Sequence, residues 1–125
     1  MTEPRDTAAI AEYHAHVYYD PAGTRDRAER VRASVGERFP EARLGRWHDV
    51  PVGPHPRPMF QIAFAVELFP RLVPWLMLNR LGLAVLVHPE TGDARADHLV
   101  HAVWMGEVLP LNADVLPASP AKGAS

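Results

Sequence analysis

The run Tyr13-His14-Ala15-His16-Val17-Tyr18-Tyr19 places two histidines two residues apart in a stretch that otherwise reads as a β-strand. Strand side chains alternate between faces, so His14, His16 and Tyr18 share one side and Ala15, Val17 and Tyr19 the other. Two neutral imidazoles side by side on a sheet begin a metal site of the kind zinc, iron or copper takes. Five more histidines stand at His48, His55, His88, His98 and His101, in a chain without cysteine. Thiolate ligation and disulfides are therefore excluded, and any metal chemistry rests on nitrogen and oxygen. No phosphate-binding glycine loop, dinucleotide fingerprint, or serine or cysteine nucleophile motif accompanies them.

The elements that must position these side chains belong to one domain. The chain has 125 residues, 47% of them hydrophobic, enough for a single packed core. Thirteen basic against fifteen acidic residues leave a formal charge of −2, so no broad basic surface exists and nucleic acid is not an expected partner. The arginines of residues 24–32 alternate with acids, as on a solvated helix face. Residues 1–9 lack the apolar core of a signal peptide, and Pro70, Arg71, Pro74, Asn79 and Arg80 break the most apolar run, residues 64–87. The expectation is a cytoplasmic protein with no membrane partner. Residues 1–10 and 117–125 are expected to be flexible ends around one domain at 11–116.

Along that domain the pattern predicts a strand at 13–19, a turn at 20–23 and a helix at 24–39 closed by Phe39-Pro40. A second strand follows at 43–50, and a loop with four prolines at 51–58. A third strand is expected at 59–66 and a helix at 67–81, with Pro70 in its first turn and Pro74 expected to kink or restart it. A fourth strand at 83–88, a turn at 88–93 and a last helix at 93–104 complete the chain. The order β-α-β-β-α-β plus a C-terminal helical segment predicts a ferredoxin-like α+β fold. Its four-stranded antiparallel sheet would run 4-1-3-2, with two helices on one face. The other face would need cover from a partner subunit, the C-terminal segment or a ligand.

Periodicity assigns the faces. Phe60, Ile62, Phe64 and Val66 point to the helices, as do Leu83, Val85 and Val87, leaving Gln61, Ala84, Leu86 and His88 on the open side. The end of the fourth strand lies beside the start of the first, which brings His88 to His14. A single strand histidine is most often a core residue hydrogen-bonded to a carbonyl. Three converging on one face, His14, His16 and His88, point to a metal triad. His55 sits in the stiff loop Gly53-Pro54-His55-Pro56-Arg57-Pro58, where the plain reading is an exposed loop residue. His98 and His101, three apart, would share a helix face with Trp104, where plain amphipathic packing is the competing reading. His48 reads as structural.

The ordered set of Tyr13-His14-Ala15-His16-Val17-Tyr18-Tyr19, Leu44-Gly45-Arg46-Trp47-His48, Val52-Gly53-Pro54-His55-Pro56, Phe60-Gln61-Ile62-Ala63-Phe64, the run from Gly82 to Gly92 and the run from Asp97 to Trp104 resembles the DOPA 4,5-dioxygenase family across residues 12–112. The resemblance implies a ferredoxin-like, often dimeric protein that cleaves the ring of a catechol by extradiol chemistry with non-haem Fe(II) and O₂. It carries over to His14, His16, His55, His88, His98 and His101. Such chemistry needs a divalent iron with open positions, so that about three protein ligands suffice. His14, His16 and His88 are the expected ligands. His55, His98 and His101 are the expected catalytic groups, binding substrate or accepting a catechol proton and later returning it. Glu67, Glu90 and Asp97 lie near the open face, so a carboxylate ligand or a three-histidine set both stay open. Zinc or nickel could replace Fe(II) on isolation, since intrinsic affinity favours them. Tyr18, Met59, Leu86 and Trp104 on a bare face predict a homodimer. The alternative is a non-catalytic dimeric module binding a small aromatic or a metal.

Overall fold

The computed structural model describes residues 3–117. Five antiparallel strands form one sheet in the order β2-β3-β1-β4-β5. They are β1 (Glu12–Tyr18), β2 (Arg43–Leu44), β3 (Met59–Phe64), β4 (Val85–Glu90) and β5 (Val103–Met105). Three helices accompany them: α1 (Arg25–Arg38), α2 (Phe69–Asn79) and α3 (Ala94–Leu99). The architecture is α+β, and its first four strands keep the expected 4-1-3-2 neighbours.

The strand parities follow the period-2 pattern. Ala15, Val17, Phe60, Ile62, Phe64, Leu83, Val85 and Val87 pack in one cluster with Ala28, Val31 and Val35 of α1 and Leu72, Val73 and Leu76 of α2. His14, His16 and His88 take the opposite face, with His14 directly across from His88 and His16 across from Gln61. α2 is entered through a 3₁₀ turn at Val66–Leu68, so Val66 leaves the third strand. Pro74 lies inside α2 without ending it. The proline forfeits one bond to the carbonyl four residues back, and burial of the residues around it holds the helix.

Beyond shifts of about two residues at the ends of β3, α2 and β4, two elements depart from the sequence reading. The second strand shrinks to Arg43–Leu44, with only an isolated bridge between His48 and Met59 continuing the pairing. The last helix, expected over 93–104, ends at Leu99. Val100, β-branched, caps it with its N–H on the Ala96 carbonyl. Val103, Trp104 and Met105 then form β5 against Val85, Leu86 and Val87 of β4. The C-terminal helical segment is thus half helix, half edge strand.

The face away from α1 and α2 is not bare. Tyr18, Met59, Ala84 and Leu86 form a second apolar cluster with Leu109, flanked by Ala102, Trp104 and Leu111. Tyr18, Met59 and Leu86 are 1%, 4% and 0% exposed and Trp104 is half-buried, so most of the apolar surface invoked for a homodimer is buried within one chain. The C-terminal segment covers it. No helix among the described residues is long and apolar enough to cross a membrane. Residues 1, 2 and 118–125 lie outside the described part, and with them nearly all of the tail expected at 117–125.

Candidate metal centre

Three elements and one loop bring five histidines together. β1 supplies His14 and His16, β4 supplies His88, and the two strands pair in register at His14 and His88. The Nε2 atoms of His16 and His88 lie 3.1 Å apart. α3 aims His98 at His88, with ring centroids 4.0 Å apart, and the proline loop brings His55 within 4.2 Å of the His16 ring. Two overlapping triads result, each with its ligand atoms within 4.8 Å of one another: His14, His16 and His88, and His16, His55 and His98. His16 belongs to both.

The loop holding His55 is fixed from both sides. Its His55 N–H donates to the Val52 carbonyl, and Asn112 N–H donates to that of Pro54. The expected exposed loop histidine is instead 6% exposed. α3 is held by Asp97, 1% exposed, whose carboxylate accepts from the Thr91 N–H at 2.8 Å and the Thr91 hydroxyl at 2.7 Å. His101 is not brought to the cluster. Helix α3 stops before it, so the i, i+3 relation to His98 is lost, and His101 is exposed beside Val87 and Val103 on the other side of the sheet. His48 serves the frame: its carbonyl accepts from Tyr19 Oη, and its backbone bridges Met59.

Hydrogen bonds select the ring nitrogens left free. His88 Nδ1 donates to the Pro89 carbonyl at 3.0 Å, and His98 Nδ1 donates to that of Ala94 at 2.7 Å, leaving both Nε2 lone pairs available. His14 Nε2 meets Glu12 Oε2 at 2.9 Å, while Glu90 Oε2 stands 3.7 Å from His14 Nδ1 and 3.4 Å from His88 Nδ1. Tyr18 Oη lies 2.7 Å from His55 Nδ1. Burial pushes the Tyr18 phenol up, so it keeps its proton beside His55. His16 Nδ1 is buried with no partner.

The electrostatics keep His16, His55 and His88 neutral. Burial, then repulsion from the neighbouring imidazoles, pushes His55 down to about 4, and burial does the same to His88. His16 lies well below its usual value of 6.5, first through burial and then through His55, His88, His98 and His14. Neutral nitrogen donors packed this closely, with one buried nitrogen unsatisfied, fit a divalent metal ion. Carboxylates stand behind the rings rather than among them. Of those expected nearby, Glu90 approaches two rings, Asp97 holds the loop instead, and Glu67 sits in the 3₁₀ turn before α2. Two contributors escaped sequence reading: Glu12, which shares the parity of His14, and the hydroxyl of Tyr18, which shares that of His16.

Fold and cluster together define a small α+β protein whose histidines can hold a metal ion. Residues 13–115 match the model of the Dopa 4,5-dioxygenase family, and the chain belongs to that family. It is 37% identical over 126 residues to an uncharacterised 21.2 kDa protein of Botryotinia fuckeliana, covering 90% of this chain and 67% of that one. It is 33% identical over 117 residues to a DOPA 4,5-dioxygenase of Amanita muscaria, covering 86% of this chain and 50% of the relative. The chain thus spans about half the length of that enzyme. A crystal structure of a candidate dioxygenase from Nostoc punctiforme superposes with a TM-score of 0.87 at 56% identity, covering 90% of this chain and 96% of that one.

Proposed function

We propose that the protein is an extradiol dioxygenase that opens the ring of a catechol, using Fe(II) held by His14, His16 and His88. The convergence of three imidazoles on one sheet face carries this reading, because imidazole nitrogens suit non-haem iron and about three protein ligands leave open positions. Family membership supplies the reaction class. Bound there, Fe(II) would supply adjacent positions for a catecholate and O₂.

The chain's own groups take the remaining work. His88 is oriented by the Pro89 carbonyl and His14 by Glu12, the outer partners that metal-bound imidazoles require. His55 is not counted as a ligand. In this reading the Tyr18 hydroxyl donates to its Nδ1, so that its Nε2 carries the hydrogen and serves as a donor. His98, with Nδ1 tied to Ala94, offers Nε2 as the acceptor for a catechol proton. His55 and His98 thus form a donor and acceptor pair, with ring centroids 6.1 Å apart. His101 has no part in this centre. O₂ and a small catecholic aromatic are the proposed partners, and the cytoplasm the proposed location. The proposed homodimer uses a surface other than the covered face.

The test combines metal analysis with turnover. Anaerobically purified wild type should hold one iron per chain and, with catechols in air, develop the yellow absorbance of a ring-fission semialdehyde. His16→Ala should lose the iron, since His16 belongs to both triads. His14→Ala should lose it too, whereas His55→Ala should keep it and slow turnover. Stoichiometric iron in His16→Ala places the centre elsewhere. Iron-loaded protein that leaves every catechol intact is a binding module, not an enzyme. Zinc or nickel in aerobic preparations would reflect intrinsic affinity rather than function.

A further inference from the structure

The helix-covered side of the sheet contains a cavity of about 310 Å³ beside the first residue of α2. It lies across the sheet from the histidine cluster. Tyr13 and Val87, which line it, are the immediate chain neighbours of His14 and His88 and point the opposite way. The N-terminal segment roofs it: a 3₁₀ turn at Thr7–Ala9, capped by Asp6, runs into Ala11, whose N–H donates to the Glu90 carbonyl at 2.8 Å.

The walls are apolar and partly aromatic. Tyr13 and Phe69 meet at 4.6 Å between ring centroids, tilted by 47°, and Val87 and Val103 close the aliphatic side. Arg5 and His101 stand on the same lining. Among the described residues no acid pairs with Arg5 or His101, so both are free to meet an anionic group. The one acid on the lining, Asp6, already accepts from the Ala8 N–H at 2.8 Å. An apolar pocket with a guanidinium and an imidazole on its lining suits a ligand with one flat apolar part and one anionic group.

We infer that this cavity binds a small aryl carboxylate, its ring against Tyr13 and Phe69 and its carboxylate on Arg5 and His101. The site is separate from the metal centre and does not depend on the dioxygenase reading. His101, left without a role at the histidine cluster, acquires one here. The volume is at the low end for small-molecule sites, which favours a single ring on a short chain over a larger ligand.

The probe is 3-phenylpropionate, with 3-phenylpropanol as its uncharged counterpart, followed by calorimetry and ligand-observed NMR on the full chain. The acid should bind saturably, and the alcohol about tenfold more weakly, the effect of losing one charge-assisted contact in a partly exposed site. Arg5→Ala should weaken the acid about tenfold and leave the alcohol unchanged. Val103→Trp, at an edge position already 54% exposed, should fill the cavity and abolish binding of both. His16→Ala should bind the acid as wild type does, which separates this site from the metal centre. No binding of the acid, equal binding of acid and alcohol, or loss of binding in His16→Ala would each overturn the proposal. So would a dimer that Val103→Trp dissociates while no acid binds, since the cavity would then be a subunit contact.

Discussion

An imidazole removed from water prefers to be neutral, and His16, His55 and His88 are removed together. Burial first takes His55 and His88 from 6.5 down to about 4, and it holds His16 well below 6.5, with repulsion from neighbouring imidazoles adding to the shift. The sign of the consequence is fixed. The unfolded chain takes up protons near 6.5, and the folded chain refuses them until about 4. Stability from these groups is therefore full above pH 6.5 and is lost as pH falls toward and through 4. For metal-free protein, the urea midpoint should drop steadily between pH 7 and 5, where carboxylates stay ionised. A divalent metal, bound only by the folded chain, should move that drop to lower pH. A flat midpoint from pH 7 to 5 would contradict the neutral cluster. Tyr18→Phe tests the donor and acceptor arrangement. The fold and iron content should persist, while turnover falls about 10–100-fold, as is usual when an outer partner of a working imidazole is lost. Unchanged turnover would mean that the hydroxyl does not set His55.

At the scale of elements, short connections carry the site. Asp97 ties α3 to Thr91 with two hydrogen bonds from a buried carboxylate, and the next residue is His98. Asp97→Ala should destabilise the fold by about 2 kcal/mol in urea unfolding and slow turnover with iron retained. An unaltered midpoint would show that the contact is not formed in solution. Local pattern made much of this legible. Alternation in β1, β3 and β4 sorted His14, His16 and His88 onto one face, because a period of two allows only one buried register. Glu12 was readable by the same rule. The three residues of β5 were not, since they are too few to show alternation and they follow a helical pattern without a break. The burial of His55 was equally hidden. It depends on Tyr18 and Asn112, far along the chain, and not on the prolines around it. His101 was misplaced for the related reason that helix α3 ends two residues earlier.

The whole molecule is a sheet with a core on each side, unequal in size. The larger lies under α1 and α2; the smaller gathers Tyr18, Met59, Ala84 and Leu86 under Leu109. An open ferredoxin-like face would need a second subunit, but here residues of the C-terminal segment supply the cover, with Trp104 stacked 5.9 Å from Tyr18. This cover also backs the site, because Tyr18 is held between Trp104 and His55. Leu109, 3% exposed, is its central apolar contact. Leu109→Ala should therefore destabilise the protein by about 2–4 kcal/mol, the range for emptying a buried leucine site. Loosening the segment would bare Tyr18, Met59 and Leu86, so the variant should also show a larger apparent mass in light scattering as concentration rises. Wild type should show no association that depends on this face. A Leu109→Ala protein with the wild-type midpoint and mass would mean that the segment does not cover the sheet in solution, and that a partner subunit takes its place.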